Sequence, residues 1–105
     1  MRALLAALGL LAAGAGAQAA DAGRGETLVQ TNCAPCHAVG RTGDSTVATA
    51  PRFRELARRY PLENLQEALA EGITVNHEGI QMPEFTFTPE EVDDILAYLK
   101  RIQVR

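Results

Sequence analysis

The chain is 105 residues long and acidic, with 13 Asp and Glu against 10 Lys and Arg for a net charge of −3. That length holds one domain, and the charge argues against a nucleic-acid partner or attraction to an anionic membrane surface. With no tryptophan, two tyrosines and three phenylalanines, so short a chain has only a modest core of its own.

Met1-Arg2 is a short positive start, followed by an apolar run from Ala3 to Ala17 and the A-x-A string Ala17-Gln18-Ala19. This order reads as a secretory signal peptide over residues 1–19, removed to leave a domain at 20–105. The run is shorter than the ~18 apolar residues a spanning helix requires, so no integral membrane segment is expected after cleavage. No cysteine stands at the cleavage point, which excludes a lipid-anchor signal. The expected location is the periplasm. The leader removes one basic residue, so the mature domain has 86 residues and a net charge of −4.

From about Ala22 to Asn32, Gly25, Leu28 and Val29 recur at helical spacing and lead into Cys33-Ala34-Pro35-Cys36-His37. C-x-x-C-H is the attachment string of c-type haem. Two thiols at this spacing share one helical turn and add across the two vinyl groups on one porphyrin edge. The histidine that follows then sits under the iron as axial ligand. Three other readings fare worse. A thioredoxin-type dithiol belongs in a βαβ pattern that residues 25–45 do not show. Structural zinc wants four ligands, and the chain offers only two cysteines and two histidines, His37 and His77. A Cys33–Cys36 disulfide closes a loop too short to stabilise much by chain entropy. The string therefore predicts one covalently bound haem c per chain, about which short helices pack and which supplies the aromatic centre that the composition lacks.

Residues 38–50 have loop composition. Phe53, Leu56, Ala57 and Tyr60 then follow helical spacing, with Pro51 suited to an early helical position. Pro61 opens a further helix carrying Leu62, Leu65, Ala68 and Leu69 on one face and stopping at Gly72. Residues 73–87 read as irregular, and no strand is expected anywhere. Met82 lies in this stretch, within Gly79-Ile80-Gln81-Met82-Pro83-Glu84-Phe85. It is the only methionine besides the initiator, and a loop can bring it over the far face of the porphyrin as the second axial ligand. Core filling is the ordinary alternative for a methionine. The last helix has the strongest signals. Thr88, Pro89 and Glu91 make an N-terminal capping box, and Val92, Ile95, Leu96, Leu99 and Ile102 form a buried stripe. Glu90, Glu91, Asp93 and Asp94 sit at the positive end of its dipole, with Lys100, Arg101 and Arg105 at the negative end.

From Gly25 to Ile102 the chain resembles a small mono-haem class I c-type cytochrome of bacterial periplasmic type. Gly25 and Val29, the C-x-x-C-H string, Pro51, Met82-Pro83-Glu84-Phe85 and Ile95-Leu96-Ala97-Tyr98-Leu99 carry the likeness. The resemblance implies an all-α, compact class I fold of about four short helices around one covalently attached haem. It implies a close crossing of the first and last helices, with Gly25 and Val29 meeting Ile95 and Tyr98. It also implies that the Pro51 carbonyl accepts a hydrogen bond from the second nitrogen of His37, which orients the ring and raises its basicity. Two features depart from the pattern. The lysine ring of mitochondrial-type members is reduced to Lys100, and His77 stands five residues before Met82. His77 reads as a solvated loop residue, with a redox-linked proton site or replacement of Met82 as alternatives.

Two function classes follow. With His37 and Met82 on the iron, the protein carries electrons between redox protein partners, free or as a subunit of a larger complex, and is not an enzyme. With an open or displaceable sixth position, it is a haem enzyme or small-molecule sensor. No nucleophile–base pair or carboxylate pair poised for the second class stands out. Arg52, Arg54, Arg58 and Arg59 cluster soon after the haem string. They read as a solvated face and partial neutralisation of the haem propionates, or as a local basic docking patch.

Overall fold

Asp21 caps the first helix. Its carboxylate accepts the Arg24 N–H at 3.1 Å, which satisfies one of the open donors at the N-terminus of α1, Ala22–Asn32. The computed structural model describes residues 19–72, 76–77 and 80–104. The expected signal peptide therefore lies outside the described residues except for Ala19, and His77 enters only through its backbone.

α2 spans Asn64–Glu71 and α3 spans Pro89–Ile102. Between α1 and α2 lies a single 3₁₀ helix, Phe53–Arg58. The fold is the all-α arrangement of four short helices, with α1 packed across α3 as its main contact. The capping box of α3 is complete: Thr88 Oγ1 accepts the Glu91 N–H at 3.2 Å, and the Glu91 carboxylate accepts the Thr88 N–H at 2.9 Å. Val92, Ile95, Leu96, Leu99 and Ile102 are all buried.

The crossing of α1 and α3 depends on a missing side chain. A Cβ at Gly25 would run into the Asp94 carbonyl group and come within 3.0 Å of Ile95 Cα. Glycine in a helix interior costs about 1 kcal/mol relative to alanine, so Gly25→Ala would stabilise an isolated α1. Here the obstacle is backbone, which cannot rotate away, and overpacking of this kind costs ~1–3 kcal/mol or more. The clash wins. Gly25→Ala is expected to lower the denaturation midpoint of the haem-loaded protein, and an unchanged or raised midpoint would show that the helices separate freely.

Asp94 adds a second tie at the same crossing. It is 4% exposed, although its place in an acidic run assigned it only to the helix dipole. Its carboxylate accepts the Asp21 N–H at 2.6 Å and lies 3.2 Å from Arg24 Nε. A buried carboxylate needs such partners. Arg24 is largely solvated, so the ion pair itself contributes little.

Four local expectations change. Pro51 is not in a helix; it precedes the N-cap residue Arg52. Ala57 is exposed rather than part of a buried stripe, because a 3₁₀ helix repeats every three residues and aligns Phe53 with Leu56. The Ala57 N–H donates instead to Gln103 Oε1 at 2.8 Å. The next helix begins at Asn64, not Pro61, since Asn64, Leu65 and Gln66 first donate to carbonyls three residues back; it still stops at Gly72, whose φ of +105° suits glycine. Within the stretch expected to be irregular, β1 (Asn76–His77) and β2 (Ile80–Gln81) form a minimal antiparallel ladder, with Asn76 opposite Gln81.

Candidate haem site

The end of α1 tightens into a turn that carries the motif. Cys33 and Ala34 both donate to the Val29 carbonyl, at 2.8 and 3.1 Å, and Cys36 and His37 both donate to Cys33 O, at 3.1 and 2.9 Å. This compact turn presents two thiols and then the imidazole. Both cysteines are unpaired and half-buried. Burial, with the neighbouring Cys36 sulfur, pushes the Cys33 thiol up to about 11. A reactive redox dithiol needs the opposite shift, so the turn does not have the electrostatics of a thioredoxin-type site.

His37 Nδ1 lies 2.8 Å from the Pro51 carbonyl oxygen. A carbonyl can only accept, so Nδ1 carries a proton, which in the neutral ring leaves the lone pair on Nε2. The Phe53 ring packs against the imidazole with centroids 4.8 Å apart. Pro51 reaches this position because the segment before it straps the motif turn. Thr46 Oγ1 donates to Pro35 O at 2.5 Å, Val47 N to Cys36 O at 3.2 Å, and Ala38 N to Ser45 Oγ at 3.0 Å. Phe53 N closes the strap on Ala38 O at 3.0 Å. On the other side Tyr98, from α3, donates its hydroxyl to Val39 O at 2.7 Å. Sequence reading left Ser45, Thr46 and Val47 as generic loop. The available signal was the hydroxyl pair, since a turn this tight leaves carbonyls and N–H groups that need outside partners.

His37 and Met82 line one cavity of about 310 Å³ together with Cys33 and Pro51. Its walls are otherwise almost wholly apolar, with contributions from every helix: Val29 of α1, Leu56 of the 3₁₀ helix, Leu69 of α2 and Ile95 of α3 among them. Cys36 stands just outside, on an adjoining groove that also includes Met82, Pro83 and Phe85. An apolar slot bearing an imidazole nitrogen, a thioether sulfur and a cysteine pair suits a flat apolar macrocycle held by thioether bonds. The residues present fit haem.

The arginine cluster does not form one bare basic face. Arg52 pairs with Asp44 at 2.5 Å and with Glu55 at 3.2 Å, and Arg58 lies 3.6 Å from Glu55. Arg54 buries one guanidinium nitrogen without a hydrogen-bond partner among the described residues. Arg59 lines the cavity.

The family model for Cytochrome c matches residues 22–103. The chain belongs to the cytochrome c family. This c-type cytochrome is a small one of class I, and it is similar to a Cytochrome c-553-like protein of Synechocystis sp., with 30% identity over 82 residues, 78% of this chain and 70% of that protein. Membership implies covalently bound haem c, a role in electron transfer and redox protein partners. No helix among the described residues is long and apolar enough to cross a membrane.

Proposed function

We propose that the protein is an exported mono-haem electron carrier whose iron is held by His37 and Met82, with Cys33 and Cys36 as the thioether attachments. The observation that carries this reading is the shared cavity of His37 and Met82, combined with the tautomer that the 2.8 Å contact to Pro51 imposes. Bound haem supplies one-electron redox chemistry at its iron. Pro51 holds the imidazole in orientation and increases its basicity by accepting the Nδ1 proton. Phe53, Leu56 and Leu69 exclude water from the cavity. Met82 offers a thioether, which favours ferrous over ferric iron. Held by both His37 and Met82, the iron would offer a substrate no place, and the bound group would supply electron exchange with protein partners, in a free carrier or a complex subunit. The leader at 1–19 supports export to the periplasm.

The competing reading, a sensor or enzyme with a displaceable sixth ligand, predicts different behaviour. A carrier is expected to titrate as one reversible one-electron couple and to keep its reduced visible spectrum under carbon monoxide. Rapid, complete conversion to a carbonyl spectrum at neutral pH would transfer the protein to the second class.

A further inference from the structure

Away from the cavity, charge collects where α1 crosses α3. Asp94 is buried there with both carboxylate oxygens engaged, Oδ1 by the Asp21 N–H at 2.6 Å and Oδ2 by Arg24 Nε at 3.2 Å. Arg24 is its charged partner among the described residues. That guanidinium is shared with Asp21 at 3.6 Å and its side chain is 61% exposed, so water weakens the pairing. A shallow cleft beside Asp94 brings in Glu90 and Glu91 of α3, with Arg24 on its α1 wall. The titratable groups at the crossing are therefore Asp21 and Arg24 from the start of α1, and Glu90, Glu91 and Asp94 from α3. The crossing is short of positive charge.

Cleavage after Ala17-Gln18-Ala19 would supply it. Ala19 and Ala20 are both exposed, and leaders are removed after such a string. Before cleavage the Ala20 nitrogen is a neutral amide. Hydrolysis of the Ala19–Ala20 bond adds water across it, leaving a carboxylate on the leader and an ammonium on Ala20. Adjacent backbone nitrogens lie no more than about 3.7 Å apart, and the next nitrogen, that of Asp21, already touches Asp94. The new charge therefore stands within about 6 Å of the Asp94 carboxylate, close enough for opposite charges to shift each other's protonation. We propose that processing of the leader completes the α1–α3 crossing: the ammonium freed on Ala20 pairs with Asp94 and holds α1, with the haem-attachment turn at its end, onto α3. This rests on the leader reading above. Arg24 and the positive ends of both helices, each about half a charge, oppose the pairing. They offset only part of the four carboxylates, so attraction wins.

The Ala20 amino group should hold its proton about tenfold more tightly than an ordinary chain terminus, whose pKa is ~8. The measurement is the pH dependence of amine labelling at Ala20, read by mass spectrometry on haem-loaded protein exported with its own leader. Asp94→Asn keeps an oxygen to accept the Asp21 N–H but removes the charge, and should return the amine to the ordinary range. Asp93→Asn, at an exposed neighbour in the same acidic run, should not. A further form carries Gly-Ser-Gly-Ser inserted between Ala19 and Ala20, which moves the ammonium up to ~13 Å away. It keeps every native side chain, so it decides the matter even where Asp94→Asn fails to fold. Its denaturation midpoint should fall about 5 °C below native at neutral pH. A pKa raised by folding gives stability that is full below about pH 8 and is lost as pH rises through about 9, so the gap should close by about pH 10. An amine of ordinary acidity in the native protein would overturn the proposal. Equal shifts in Asp93→Asn and Asp94→Asn, or a midpoint gap indifferent to pH, would do the same. A mature chain that begins elsewhere than Ala20 would instead overturn the leader reading and the pairing with it, so the two failures are told apart.

Discussion

Met82→Ala is expected to lower the reduction potential by on the order of 100 mV, as axial ligand identity sets haem potentials over a range of ~0.8 V. The thioether is a weak, soft donor that favours ferrous iron, and water or a harder ligand in its place favours ferric iron. The oxidised native protein should show the weak far-red band of a methionine–iron bond, and the variant should lose it. Met82 lines the cavity with His37, and its loop lies between the β1–β2 ladder and the cap of α3, so its removal should leave the helices in place. The reduced variant should also become sensitive to carbon monoxide, in contrast to the insensitivity expected of the native protein. If the band survives in Met82→Ala, the sixth ligand is another residue. A band that is absent from native protein and responds only to replacement of His77 would identify that residue.

The second large effect concerns covalent attachment. Intact mass of the purified protein should exceed the mature polypeptide by one haem, and the colour should resist acid–acetone extraction. Replacing both Cys33 and Cys36 with alanine should yield chain that is uncoloured or whose haem extracts freely, and that is largely unfolded by circular dichroism. Cavity energetics support the last outcome. At ~24 cal/mol per Å³, leaving the 310 Å³ cavity empty costs on the order of 7 kcal/mol, against a total stability of ~5–15 kcal/mol for a domain. Folded, colourless double variant at normal yield would mean that the helices close over the cavity without a cofactor and that haem is not the centre of the core.

In sequence the basic residues near the cofactor read as a solvated face with partial neutralisation of the propionates, or as a local docking patch, and pairing with Asp44 and Glu55 weighs against the second. A guanidinium engaged by two carboxylates, such as Arg52, presents little free charge to steer a partner. Any steering by this side of the protein falls mainly to Arg54 and Arg59, of which Arg59 also lines the cavity. The apolar groove containing Pro83 and Phe85 beside Cys36 offers partner contacts that do not depend on such steering.

The elements legible in sequence were those whose determinants lie within one turn of each other. Thr88, Pro89 and Glu91 specify the start of α3 with no help from the rest of the chain, and a five-residue apolar stripe specifies its buried face. Cys33, Cys36 and His37 likewise declare their chemistry by adjacency alone. Spacing could not identify the 3₁₀ helix, because over six residues a repeat of 3.0 and one of 3.6 predict nearly the same apolar positions. The choice came from outside the segment: Gln103 takes the Ala57 N–H from across the fold, and Pro51 turns its carbonyl to His37 instead of entering a helix. Asp94 shows the same limit. In sequence it is one of four acids near a helix start, yet the close approach allowed by Gly25 buries it against Asp21 and Arg24. Its role was decided by a partner 73 positions away. Local periodicity and capping are short-range energies that a linear string records directly. The buried carboxylate, the strap through Ser45 and Thr46, and the arginine left to face the cavity depend on which distant surfaces meet, and only the packed fold determines that.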